Sequence, residues 1–307
     1  MSLDLFLDTL SDASGQEEIG DFVELSDLSP EELGSFASVW FGLTIERQRW
    51  VVAKLVEEAE YNAELDFAVI FKMFLKDHDE EVLEKAMEGL WEIEDRFIIP
   101  ALIKILMSDK SPSVRAAAAM GLGKFPLLLQ EGKLLARDGD TIQQSLMEVL
   151  NDPDQHIDVR RRSLEAVAPF NTSDINELVT WAYESADLKL KSSSIYAMGR
   201  TGEPNWLPVL IKELDNREPT IRYETAHACG ELGEEDAVPH LIQLLQDDDY
   251  QVQLAGIKAL GQIGGPLAKK ILLHCVKEGD AGLEDAARDE LQNIEFLEDP
   301  MAFNSEG

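Results

Sequence analysis

Cysteine is nearly absent from this sequence of 307 residues: Cys229 and Cys275 are the two present. That excludes a disulfide framework and suits a reducing compartment. Long apolar runs are missing too, with no stretch approaching the roughly 18 residues of a membrane span. The opening M-S-L-D-L-F-L-D-T-L carries Asp4 and Asp8 where a secretory signal needs positive charge. The expectation is a cytoplasmic protein without membrane contact. Positive charge is the third scarcity. Lys and Arg number 27 against 60 Asp and Glu, a formal net charge of −33, and the first base is Arg47. Phosphate backbones are bound by clustered Lys and Arg that release counterions, so nucleic acid is excluded as a general partner. Two readings of the acidity stay open: solubility of a long surface, and attraction of a basic partner.

Groupings that carry chemistry are scarce as well. His78, His156, His227, His240 and His274 fall into neither H-x-x-x-H nor H-E-x-x-H spacing, and no cysteine pair supports zinc. Asp152, Asp154 and Asp158 have the look of a calcium loop, but Ile157 stands where such a loop requires glycine. His274 and Cys275 are adjacent and point different ways on a helix. No catalytic, metal-binding or cofactor-binding residue is assigned, no cofactor is expected, and a small-molecule ligand is not expected either.

What the sequence does have is a period. Residues 221–233 read I-R-Y-E-T-A-H-A-C-G-E-L-G, 252–264 read V-Q-L-A-G-I-K-A-L-G-Q-I-G, and 190–202 read L-K-S-S-S-I-Y-A-M-G-R-T-G. Anchors at Val82, Val114, Val159, Leu190, Ile221, Val252 and Leu283 lie 32, 45, 31, 31, 31 and 31 residues apart. A strict period near thirty marks a stacked helical array. In the third pair Val114, Ala118, Gly121, Leu122 and Phe125 fall on one helical face, with small residues where neighbouring helices approach. Cys229 takes a leucine position and reads as core. Glycines nine or twelve residues past the anchor read as left-handed caps.

The pattern predicts a first pair over about 30–60, opened by Ser29 as N-cap and Pro30 at the first helical position. Later pairs follow at 65–76 with 80–92, 98–107 with 113–124, 141–150 with 158–169, 174–184 with 189–199, 204–214 with 220–232, 237–245 with 251–263, and 266–277 with 283–296. The organisation is an acidic leader at 1–29, an array at 30–297 and a tail at 298–307. The leader is either frayed or docked through Leu3, Leu5, Phe6, Leu7 and Leu10, with a linker at 11–20. The surplus of the 45-residue interval, 126–139, is an insertion with five leucines, either a structural spacer or a partner contact. Asp285, Asp289 and Glu290 predict a polar outer face for the terminal pair.

The stretches P-A-L-I-K-I-L-M-S-D at 100–109, P-V-L-I-K-E-L-D at 208–215 and P-H-L-I-Q-L-L-Q-D at 239–247 resemble HEAT repeats, closest to the short HEAT-like type of phycobilisome lyases and many bacterial adaptors. The resemblance implies an all-α, right-handed α-solenoid of about seven to eight HEAT-like helix pairs. It also implies a charge ladder between turn acid and second-helix base, here Asp109 with Arg115, Asp154 with Arg160 and Asp215 with Arg222, with Lys191 in an arginine's place.

In such stacks the second helices line the concave side. Their outward positions present Arg161, Arg162, Tyr196, Arg200, Tyr223 and His227, and the sixth position after the anchor forms the ladder Glu165, Tyr196, His227, Lys258. Two exposed tyrosines flanked by arginines on a relatively basic island have hot-spot composition. The reading is a non-catalytic scaffold holding a protein or peptide partner there. The alternatives are a bilin lyase or tetrapyrrole chaperone, implied by the resemblance alone, and an acidic binder of a basic protein.

Overall fold

The computed structural model describes residues 2–12, 22–278 and 281–298, and every regular element among them is helical. The chain divides into two compact units, Met1–Ser163 and Leu164–Gly307.

The first unit opens with α1 (Leu3–Ser11), which buries Phe6, Leu7 and Leu10. Phe6 meets Phe22 edge to face at 5.4 Å, and Phe22 lies 5.7 Å from Trp50. The start of the leader is therefore docked. Of the expected linker, 13–20 lies outside the described residues, as does the tail beyond residue 298. Four pairs follow: α2 (Pro30–Trp40) with α3 (Ile45–Tyr61), α4 (Ala68–Phe74) with α5 (Glu80–Gly89), α6 (Ile99–Leu106) with α7 (Pro112–Leu122), and, beyond α8 (Phe125–Gln130), α9 (Ala136–Asn151) with α10 (Ile157–Val167), whose last turns lie past the unit boundary. Ser29 caps α2 through a reciprocal pair, its hydroxyl accepting from Glu32 N while its own N–H donates to the Glu32 carboxylate. Phe36, Trp40 and Phe74 fill the space between α2 and α4, with Trp40 and Phe74 centroids 4.1 Å apart.

The insertion is α8 plus the first turn of α9, which starts five residues ahead of the expected 141. Leu128 and Leu134 are buried while Leu127 and Leu135 stay exposed. Gly139 is buried beneath Leu129, where a Cβ would meet the leucine Cδ2 at 2.6 Å. The insertion thus packs on itself and reaches Arg96 through Asp138 at 2.9 Å.

The second unit contains α11 (Ser173–Tyr183) with α12 (Leu188–Thr201), α13 (Leu207–Glu213) with α14 (Pro219–Leu232), α15 (Val238–Leu241) with α16 (Tyr250–Ile263), and α17 (Gly265–Glu278) with α18 (Ala281–Glu298). Together the units hold eight pairs among the described residues. Proline at the first helical turn suits the starts of α13 and α15, each preceded by a short 3-10 turn.

Glycine does two jobs here, and the sequence reading merged them. Gly202, Gly233 and Gly264, twelve residues past the anchors, have φ near +70° and end α12, α14 and α16. Gly199, Gly230 and Gly261, nine past, lie inside those helices and cap nothing. A Cβ on Gly199 would sit 2.7 Å from Ala228 Cα, and one on Gly230 would sit 3.1 Å from Ala259 Cα. They are the points at which consecutive second helices touch. Accordingly α12 lies against α14, α14 against α16 and α16 against α18, while the first helices of this unit show no comparable mutual approach among the described residues. A stack drawn closer along one row curves toward it, so within this unit the second helices line the inner face.

The acids expected to give the last pair a polar outer face do lie at the surface: Asp285 and Asp289 are exposed and Glu290 is half-buried. On the other helix of the pair, α17, Leu267 and Leu273 are 45% and 50% exposed.

Candidate functional site

The base one residue past the anchor bonds away from its own turn acid at Arg115 and Arg222. Arg115 donates to Leu106 O at 2.8 Å and to Gln155 Oε1, in the turn of the next pair. Arg160 donates twice to Leu150 O. Arg222 donates to Asn216 O and forms two 2.6 Å bonds to Asp247, again in the next turn. Even Gln253 keeps the carbonyl bond, to Asp247 O at 2.6 Å. These side chains satisfy the carbonyl end of the first helix, and Arg115 and Arg222 also tie their repeat to its successor. Asp109 and Asp215 are not the partners the expected ladder required.

Lys191, at the same register, instead joins a buried cluster the sequence reading missed. Its ammonium lies 3.1 Å from the Glu213 carboxylate, which also accepts from Tyr183 Oη and Asn216 Nδ2. Glu213 is 3% exposed. Burial alone would raise its pKa, but the bonds from Tyr183, Asn216 and Lys191 outweigh it and hold the carboxyl below its ordinary value. The same burial and the facing carboxylate push the Tyr183 phenol up. The signal was legible: Glu213 occupies the register of Ile105 and Leu244, where the other repeats are apolar.

Of the six residues expected on the second-helix face, Tyr196, Arg200, Tyr223 and His227 belong to the second unit, and Arg161 and Arg162 to the first. Arg161 is held by Asp158 at 2.7 Å one turn back, and both arginines are half-buried. Tyr196, Arg200, Tyr223 and His227 do line the inner row of the second unit. They are half-buried, however, where the tyrosines were expected to be exposed, because the tight spacing of the second helices brings each side chain onto the next repeat. Tyr223 meets His227 edge to face at 4.7 Å.

The expected basic island is also corrected. Arg200 lies 3.4 Å from Glu231. Burial, then the Lys258 ammonium, depresses the His227 pKa, so its imidazole is neutral at pH 7. Glu165 accepts a hydrogen bond from Ser193 on α12, the next second helix. Burial dominates at Tyr196 and raises its phenol. The result is a charge-compensated aromatic strip, apolar in its rings and polar at its tips, suited to a surface that buries side chains without extracting bare charge.

Elsewhere the chemistry is quiet. Cys229 is fully buried, and burial pushes its thiol up to about 12, so it holds no thiolate at neutral pH. Among the described residues no group of three or more His, Cys, Asp or Glu is arranged to hold a metal ion, and no helix is long and apolar enough to cross a membrane.

A family model of HEAT repeats matches residues 67–135 and 207–292, about half of the chain. No curated protein matches. Among solved structures, human deoxyhypusine hydroxylase in complex with glycerol is 17% identical over 95% of this chain and 96% of its own, with a TM-score of 0.36. The CpcE–CpcF complex of phycocyanin lyase from Nostoc sp. is 20% identical over 64% and 76%, with a TM-score of 0.44. A designed armadillo repeat protein in complex with the peptide (KR)4 is 15% identical over 64% and 99%, with a TM-score of 0.39. At such identity and overlap, none of the three bears on what this chain does.

Proposed function

The chain belongs to the HEAT-repeat family, and from that premise we propose that it is a non-catalytic scaffold holding one protein or peptide partner on the inner face of its second unit. The observation that carries the reading is the Tyr223–His227 ring pair, 4.7 Å apart, set in one row with Tyr196 and the Arg200–Glu231 pair. Half-buried aromatics are already ordered by the next repeat, so a partner's contact loses little side-chain entropy. Aromatic rings beside arginine supply the anchors that carry most interface energy. The net charge of −33 supports a basic partner over an acidic one, through steering at low ionic strength.

The test compares wild type with a Tyr223→Ala/Arg200→Ala variant in affinity capture from source lysate, read by mass spectrometry. One protein recovered by the wild type and lost from the variant, with unchanged helical circular dichroism, is the expected outcome. Equal recovery by both proteins sinks the assignment of this face.

A further inference from the structure

The outer row of the second unit holds a groove of about 600 Å³ between the last two first helices. Its origin is local. The first helix of the seventh pair breaks after α15 into a 3-10 segment, Ile242–Gln246, whose three-residue turn puts Ile242 and Leu245 on one side. Facing it, Leu267, Lys270, Ile271 and His274 fall at i, i+3, i+4 and i+7 on α17 and so share one face. Ile257 and Leu283 are among the other walls. Ile242 and Leu267 are 44% and 45% exposed, so the groove opens to solvent along its length.

The size selects the class of occupant. The α17 wall runs from Leu267 to Cys275, about 12 Å at the helical rise. A standard protein interface takes about 20–30 residues a side, far more than this patch supplies. The volume instead falls in the range of small-ligand sites, about 300–1,000 Å³.

The charge selects the ligand. On a chain with 60 acidic and 27 basic side chains, no carboxylate among the described residues lines this groove. Its one full-time cation is the exposed Lys270, which has no ion-pair partner among the described residues. Two nearby acids are committed elsewhere: Asp247 to Arg222 at 2.6 Å, and Glu284 to Arg288 at 2.6 Å. An aliphatic trough with a single ammonium among its walls matches an aliphatic chain with a single anionic head.

We propose that this groove binds a free long-chain monocarboxylate, its alkyl chain against Ile242, Leu245, Leu267 and Ile271 and its carboxylate on Lys270 Nζ. The site is separate from the inner-face strip, stands on different residues and does not depend on the partner reading.

The experiment is a fluorescence titration of the full chain with cis-parinarate below its micellar concentration, followed by displacement with oleate and with oleyl alcohol. Saturable binding of one probe per chain is expected, with oleate displacing it and the alcohol weaker by about tenfold, the loss of one charge-assisted contact. Lys270→Glu should weaken the probe by about tenfold or more on the same ground. Leu267→Asp should abolish saturable binding, and Tyr223→Ala should leave it unchanged. Lys270 and Leu267 are exposed, so both variants retain the helical circular dichroism of the wild type. Absence of probe binding, equal affinity in the wild type and both groove variants, or equal displacement by acid and alcohol would overturn the proposal. Self-association of the wild type that Leu267→Asp removes would overturn it in favour of an interface between copies.

Discussion

Arg222 on α14 holds Asp247, in the turn of the following pair, through two hydrogen bonds of 2.6 Å each. Both side chains are mostly buried, at 15% and 8% exposure, so the pair joins two repeats at a point water reaches poorly. Its arginine simultaneously satisfies Asn216 O. Replacing Asp247 with Ala leaves a half-buried guanidinium without its counter-ion and should cost about 2–3 kcal/mol in urea unfolding.

The same pair sets an acid limb of stability. The Arg222 hydrogen bonds hold the Asp247 carboxyl below its ordinary pKa, against the opposing effect of burial. A depressed carboxylate contributes stability that is fully present above its unfolded value, about 3.9, and that is lost as pH falls through the folded value. Unfolding free energies across pH 5 to 2 should therefore fall less steeply in Asp247→Ala than in the wild type. Parallel curves would show that the pair adds nothing.

His227 gives a second limb with the same sign by another route. Burial, then Lys258, pulls its pKa below 6.5, with Glu231 pulling the other way. The unfolded chain thus binds the proton more readily, and stability is complete above pH 6.5 and declines as pH falls toward the folded value. In His227→Gln the stability slope below pH 6.5 should flatten. An unchanged slope would place the titration on another group.

The two kinds of glycine make opposite predictions. Gly199→Ala drives a Cβ to 2.7 Å from Ala228 Cα and 2.9 Å from Ala228 O, backbone atoms that can yield only by separating α12 from α14. That overpacking should cost about 2 kcal/mol. Gly34, inside α2, has nothing within 4 Å of the same position. Gly34→Ala should stabilise by about 0.5–1 kcal/mol through lower backbone entropy in the unfolded chain. Thermal unfolding of the two variants beside the wild type decides both.

The sequence by itself determined the helix pairs, to within one of their number. The anchors from Val159 to Leu283 recur at 31 residues because each repeat must present one apolar stripe to the next, and a stripe's position along a helix is a local property written in the 3.6-residue period. Ser29 as N-cap and the helix-ending Gly202, Gly233 and Gly264 were legible for the same reason: a cap is satisfied within a few residues of itself. Cys229 as core was legible because it sits in a leucine's register. Only the tertiary structure decided what crosses from one repeat to another. The inter-repeat spacing sent Arg222 to Asp247 instead of Asp215, turned Gly199 and Gly230 into contact points, and sank Tyr196 and Tyr223 halfway into the face. It also opened the Lys270 groove where a helix unwinds at Ile242. Those outcomes depend on the distance between helices some 25 to 31 residues apart in sequence, and packing across that distance, not any local preference, fixes it.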